Sequence, residues 1–154
     1  MYETLIKLSK ENKISELCLY NLNLSKSQIH EISDILATNE SIESIDLGSN
    51  NLIDDDIILI TEALKTNKTL KELNLRGNRI TKIGGYAIAN LIKTNQTLEK
   101  IDLSWNKLKD MAGVAILRAI EKSNTMKYID LSWNGIKNKR KINSLIEKHL
   151  EKNR

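Results

Sequence analysis

The 154-residue chain has no proline, no phenylalanine, one cysteine and two histidines. The lone Cys18 excludes a disulfide framework and a Cys-rich zinc site. His30 and His149 stand far apart without spaced carboxylates, a poor basis for a metal site or a catalytic triad. No apolar run approaches the ~18 residues of a membrane span. The opening MYETLIKLSKENK mixes apolar residues with Lys and Glu, unlike a secretory signal. Gly84-Gly85 lacks the G-x-G-x-x-G spacing of a nucleotide loop. No catalytic residue, cofactor or metal is therefore expected, and the chain is not expected to be an enzyme.

What is present argues for one folded domain. Apolar residues make up 40% of the chain, too many for disorder. Net charge is +4, and the excess is local: residues 126–154 hold eight Lys or Arg against three acids, whereas the rest is close to neutral. A nucleic-acid binder usually carries its basic face through the body of the domain, so none is expected here. Lys137 to Lys141 read as a solvated final turn rather than a nuclear-import or phosphate-binding patch.

A repeat organises the whole chain. Cuts before Ile14, Ile42, Leu70, Leu98 and Met126 give a period of 28 without slip. The units begin ISELCLYNLNL, IESIDLGSNNL, LKELNLRGNRI, LEKIDLSWNKL and MKYIDLSWNGI, each following L-x-x-L-x-L-x-x-N-x-L. Asparagine fills the ninth position at Asn50, Asn78, Asn106 and Asn134, and the first unit has Leu22 there. The second half of each unit changes to helical spacing, as in Ile57, Ile60, Ala63 and Leu64. Small residues such as Gly84 and Ala112 at the start of this face suit a close approach of helix and strand. Asn39, Asn67, Asn95 and Asn124 stand near the helix ends, where asparagine tolerates a left-handed stop. Four asparagines (Asn23, Asn39, Asn67 and Asn95) also begin N-x-S/T, which repetition of one turn accounts for in three cases.

This pattern resembles the leucine-rich repeat, in the 28-residue class typified by ribonuclease inhibitor. The resemblance covers residues 14–136 and extends to the end as a modified final helix. It implies an α/β solenoid, a horseshoe-shaped right-handed β-α superhelix with five parallel strands on the concave face and helices on the convex face. The repeat leucines would stack into one core, and the asparagine row would satisfy backbone groups at the strand-to-loop turn. Residues 1–13 are expected to form an N-terminal helical cap. Repeats then run over 14–41, 42–69, 70–97 and 98–125, with a final repeat and C-terminal cap over 126–154.

Alternation along a strand sends the third, fifth and seventh repeat positions to the concave surface. The fifth holds Cys18, Asp46, Asn74, Asp102 and Asp130; the seventh includes Tyr20 and Arg76. The eighth holds Asn21, Ser49, Gly77, Trp105 and Trp133. Small or polar residues in three units indicate that this position has no inward pocket, so both tryptophans should point outward. Strands ~4.8 Å apart would let the two indoles share one platform.

The candidate partner-binding residues are thus Tyr20, Asp46, Arg76, Asp102, Trp105, Tyr128, Asp130 and Trp133. The row of aspartates either keeps the concave face solvated or suits a basic partner surface. The expected function is non-enzymatic binding of a protein partner on the concave face, by a cytoplasmic monomer that contacts neither membrane nor nucleic acid. Three alternatives stand beside it. The repeat class includes activators of Ran-like GTPases, though the acidic tail of those arrays is missing. Size and layout also resemble the actin-capping domain of tropomodulins. Repeat class and composition further fit a pathogen effector acting on host proteins, secreted without a classical signal. Ribonuclease inhibition is not expected, because the inhibitor's abundant cysteines and its own tryptophan placement are unmatched.

Overall fold

The computed structural model describes residues 1–137 and 139–153, and side chains outside 138–141. Of the basic run Lys137 to Lys141, only Lys137 falls among the described side chains, and it is exposed.

Each unit contributes one short strand: β1 Glu16–Cys18, β2 Ser44–Asp46, β3 Glu72–Asn74, β4 Lys100–Asp102 and β5 Tyr128–Asp130. They pair in parallel in chain order, β1-β2-β3-β4-β5. The pairing register equals the sequence period, with Leu17 opposite Ile45, Ile45 opposite Leu73, Leu73 opposite Ile101 and Ile101 opposite Ile129. A slip of one residue would turn every one of these side chains out of the core, so burial fixes the register.

Helices α1 Tyr2–Lys10, α2 Lys26–Thr38, α3 Asp54–Leu64, α4 Lys82–Thr94, α5 Lys109–Ile120 and α6 Lys139–Leu150 alternate with the strands. Their apolar stripes meet the inward strand residues in one core that runs from Ile6 to Leu150. The small residues at the helix starts serve the helix layer rather than a helix–strand contact. A Cβ on Gly85 would lie 2.6 Å from the Ala112 Cβ on α5, and one on Gly84 would lie 2.7 Å from Asp54 Oδ1. Gly85 thus lets α4 sit close to α5, and Gly84 lets it sit close to α3 and to Ile80 in the segment after β3, 2.6 Å from the same Cβ.

Both ends depart from the repeat. Ahead of β1, α1 buries Ile6 and Ser9, and Lys10 and Tyr2 both reach Glu31 on α2, at 2.6 and 3.1 Å. After β5, α6 buries Ile142, Ile146 and Leu150. Asn153 then donates to the carbonyls of Met126, at 2.8 Å, and Ser123, at 3.2 Å.

Two asparagine rows run through the solenoid, where the sequence suggested one. In the ninth-position row, Asn106 Nδ2 donates to the carbonyls of Leu75 and Leu103, both at 3.0 Å, and Oδ1 accepts from Ile80 N at 3.0 Å. Asn50, Asn78 and Asn134 repeat this pattern, each joining its own turn to the preceding unit. The first unit has no preceding strand to join, which accounts for Leu22.

The second row corrects the helix-stop reading. Asn39 and Asn95 are extended, at φ −74° and −79°, not left-handed. Asn67 Nδ2 donates to Leu36 O at 2.8 Å, while its Oδ1 accepts from Thr69 N and Leu70 N. Asn95 does the same one unit later. Ser123, not Asn124, takes the equivalent place in the next unit, accepting from Thr125 N and Met126 N. Asn39, Asn67 and Asn95 are all buried, so their N-x-S/T sequences are closed to glycosylation in the folded protein.

Candidate partner-binding site

The concave face is built from strands too short to carry more than three residues each, so its chemistry lies in the third and fifth positions and the turn that follows. The fifth position has a structural duty that composition does not reveal. Asp46 Oδ1 accepts from Gly48 N at 2.8 Å, Asn74 Oδ1 from Arg76 N at 2.9 Å, Asp102 Oδ1 from Ser104 N at 2.8 Å and Asp130 Oδ1 from Ser132 N at 2.7 Å. Each side chain thereby closes the turn at its strand's end, an Asx turn. Asn74 fills the role as well as the aspartates do, so the turn requires the oxygen and not the charge. All four are half-buried.

The seventh position is less open than strand alternation predicts. Tyr20 is 51% exposed, Arg76 is exposed, and Ser132 is half-buried, but Gly48 and Ser104 are buried. Tyr20 lies against the bare Gly48, where a Cβ would come 3.1 Å from its ring. The Ser104 hydroxyl is buried without a hydrogen-bond partner.

The eighth position carries the decisive geometry. Asn21, Ser49, Gly77, Trp105 and Trp133 all have positive φ, between +54° and +68°. Asparagine and glycine adopt this left-handed conformation readily, whereas an ordinary L-residue loses about 1–2 kcal/mol there. Trp105 and Trp133 adopt it nonetheless, and remain 49% and 60% exposed. Their rings stack with centroids 4.7 Å apart and planes 17° apart. A stacked pair contributes about 0.5–1.5 kcal/mol beyond the area it buries, set against the backbone cost of two residues. Asparagine or glycine would meet the backbone angle at both places at lower cost.

The structure therefore brings some candidate residues together and separates others. Asp102 and Asp130 pair in register on adjacent strands, and the indoles follow directly after the turns that these carboxylates close. Tyr128, 47% exposed, opens β5 on the other side of the carboxylates. Burial first, then the Asp130 and Asp102 charges, push its phenol above the ordinary value, so it remains an O–H donor at neutral pH. Tyr128 thus flanks the carboxylates opposite the indoles instead of joining their stack. Tyr20 and Asp46 belong to the far end, on β1 and β2, and Arg76 follows β3 between the two groups. Lys100 is held by Glu72 at 2.6 Å. A shallow hollow of about 280 Å³ opens over β2 to β5, lined by Ser44, Asp46, Glu72, Asn74, Lys100, Asp102 and Tyr128.

Among the described residues, no group of three His, Cys, Asp or Glu side chains could hold a metal ion. No helix of the described residues is long and apolar enough to cross a membrane. Cys18 is an exposed free thiol.

Comparison with known proteins agrees with this architecture. The family pattern described as Leucine Rich repeat matches residues 38–59, 66–89, 94–117 and 122–139, more than half of the chain. The protein belongs to the leucine-rich-repeat family. Among solved structures, the repeats superpose on one described as Leiomodin-1 Actin-Binding Site 2, with a TM-score of 0.85 and 19% identity over 99% of this chain and 89% of that one. They also superpose on a Caenorhabditis elegans tropomodulin C-terminal domain, with a TM-score of 0.82 and 18% identity over 99% and 92% of the two chains. No curated protein sequence matches significantly. At such identities the likeness is one of fold.

Within this leucine-rich-repeat frame, two features escaped the sequence reading. One is the left-handed eighth position, signalled by Asn21 and Gly77 in the same column as the tryptophans. The other is the turn-closing role of the fifth position, signalled by the exchange of Asp for Asn at Asn74.

Proposed function

We propose that this leucine-rich-repeat protein is a non-enzymatic module that binds a protein partner on its concave face, toward the C-terminal half. The observation that carries the reading is the Trp105–Trp133 stack, exposed and held in a backbone conformation that disfavours tryptophan. Strain and exposure at repeat-equivalent places are retained where a function uses them, and tryptophan leads the residues that dominate interfaces. Tyr128, Asp102 and Asp130 extend the surface along β4 and β5, and Arg76 borders it. Tyr20 and Asp46 form a secondary contact region nearer the N-terminus. The chain acts as a cytoplasmic monomer without cofactor.

The partner is to be captured by pull-down, and its affinity measured for Trp105→Ala, Trp133→Ala and Lys93→Ala, each with native folding verified. Loss of one hot-spot indole weakens a complex by about 2 kcal/mol or more, roughly thirtyfold. Lys93 is exposed in the last turn of α4, on the convex side, and its replacement should leave affinity unchanged. Normal binding by both tryptophan variants with failure of the lysine variant would place the interface on the helices. Actin is a candidate to include, since the leiomodin structure is described as an actin-binding site.

A further inference from the structure

In the helix layer, one seam lacks the carboxylate clasp that closes its neighbours. Thr81, ahead of α4, gives its backbone N–H and its hydroxyl to Asp54 of α3, which also accepts from Gly84 N at 3.0 Å. Two units on, Asp110 accepts from Lys137 N at 2.8 Å. Between α2 and α3, where Lys26 holds the equivalent place, Asp56 takes Ile53 N instead. At the seam of α4 and α5, Lys82 stands in the column of Asp54 and Asp110, and a lysine cannot accept. Lys109 N turns to the Asn134 carbonyl, at 3.0 Å. A hollow of about 500 Å³ lies here, with exposed Lys82, Lys107 and Lys109 on its border and Leu108 and Met111 as its apolar lining. Among the described residues, none of the three ammoniums is held in an ion pair. Asp110, the one carboxylate on the lining, already serves Lys137.

The apolar surface extends from the hollow. Met111 is 66% exposed, and exposed Val114 continues its face one turn along α5. Ile83 and Tyr86 repeat this pair on α4, also exposed. The two helices touch at Gly85 and Ala112, the sequence neighbours of Tyr86 and Met111, so the two apolar rows flank one seam. In α2 and α3 the column of Ile83 and Met111 holds Ser27 and Asp55.

From this arrangement we propose that the α4–α5 seam docks an acidic amphipathic helix of a protein partner. Its apolar face covers Ile83, Tyr86, Met111 and Val114, and its bordering carboxylates meet Lys82, Lys107 and Lys109, supplying the acceptor that the repeat omits there. Helix-in-groove docking combines apolar anchors at i and i+3 with opposite charge at the rim. An anionic bilayer laid across the helices would meet Asp54, Asp55 and Asp56 at the start of α3, whereas a helix confined to the seam avoids them. No strand residue lines the hollow, so the proposal stands independently of the concave-face reading.

The test uses two fluorescein-labelled helical peptides of about 18 residues, sharing one leucine face and carrying either Glu or Lys elsewhere, followed by fluorescence anisotropy. The Glu peptide is expected to bind and the Lys peptide to remain free. Lys82→Asp should weaken the Glu peptide roughly tenfold or more without lowering the melting temperature, because Asp54 and Asp110 already occupy this column. Met111→Ser, at an exposed position, should weaken it severalfold, and Trp105→Ala and Trp133→Ala should leave it unchanged. No binding of the Glu peptide, equal binding of the Lys peptide, or indifference to both seam variants would overturn the proposal. Stronger binding to phosphatidylserine vesicles than to the Glu peptide would overturn it too, as would loss of the Glu peptide in the tryptophan variants. A captured partner indifferent to the tryptophans would defeat the concave-face reading and leave these peptide outcomes untouched.

Discussion

Two neighbouring columns of the repeat, the eighth and ninth positions, behave in opposite ways. The ninth is asparagine in every unit that has a predecessor, and each of these side chains is buried with its amide bonded on both sides. The eighth shares one left-handed conformation across all five units, yet its occupants run from glycine to tryptophan. The ninth position is dictated by unmet backbone groups on two turns, and only a side chain with donor and acceptor at that reach serves them. The eighth is dictated by backbone angle alone, and its side chain faces outward. A residue that fits the angle badly, twice, is not there to serve the backbone. Deviation from a repeat is informative where the repeat's own physics leaves the side chain unconstrained.

The largest effect should come from breaking the ninth column. Asn106→Ala orphans Ile80 N inside the core and takes one of two amide donors from each of the carbonyls of Leu75 and Leu103, which keep Asn78 and Asn134. The orphaned N–H costs about 1–3 kcal/mol and the two lost carbonyl bonds about 0.5–1.5 kcal/mol each, about 2–5 kcal/mol together. A domain of this size has about 5–15 kcal/mol in total. Urea denaturation should show the midpoint clearly lowered. A loss under about 1 kcal/mol would mean that water replaces the amide, and the column would not be the constraint described above.

An intermediate effect is expected in the eighth column at Gly77, which has φ +68°. Gly77→Ala keeps the residue small, but its new Cβ would stand 3.0 Å from Ser49 Oγ. The expected loss is about 1–2 kcal/mol, most of it from the left-handed backbone. Thermal melting provides the measurement, and it also calibrates the cost that Trp105 and Trp133 impose. An unchanged melting temperature would remove the strain argument at all five places.

The strands, their register and the apolar core were legible in the sequence because an unslipped 28-residue period leaves one way to align Leu17, Ile45, Leu73, Ile101 and Ile129. Legibility failed where one residue type serves two purposes. Asparagine suits a left-handed stop and also a buried double hydrogen bond, and spacing alone did not separate these for Asn39, Asn67 and Asn95. Aspartate suits a solvated face and also a turn closure, and only the substitution at Asn74 favoured the latter. The outward placement of the tryptophans followed from the polar residues in their column. Their contact with each other followed from strand spacing. The strained backbone beneath them did not, because φ is a property of the turn and is visible only when five units are superposed.

The smallest effect on stability, and the most telling, is expected for Trp133→Asn. Asn21 already occupies this column in the first unit at φ +54°, so the replacement relieves part of the left-handed cost. Against that gain of about 1–2 kcal/mol stands the loss of the stack with Trp105, about 0.5–1.5 kcal/mol beyond the area the indole buries. The two nearly cancel, and the melting temperature should move by no more than a few degrees in either direction. Affinity for the concave-face partner should fall by roughly thirtyfold or more, as for a truncated hot spot. The combination separates the columns by experiment: Asn106→Ala should lower stability, whereas Trp133→Asn should remove binding alone. If Trp133→Asn instead destabilises the fold by several kcal/mol, the indole is part of the scaffold, and the eighth column differs from the ninth only in exposure.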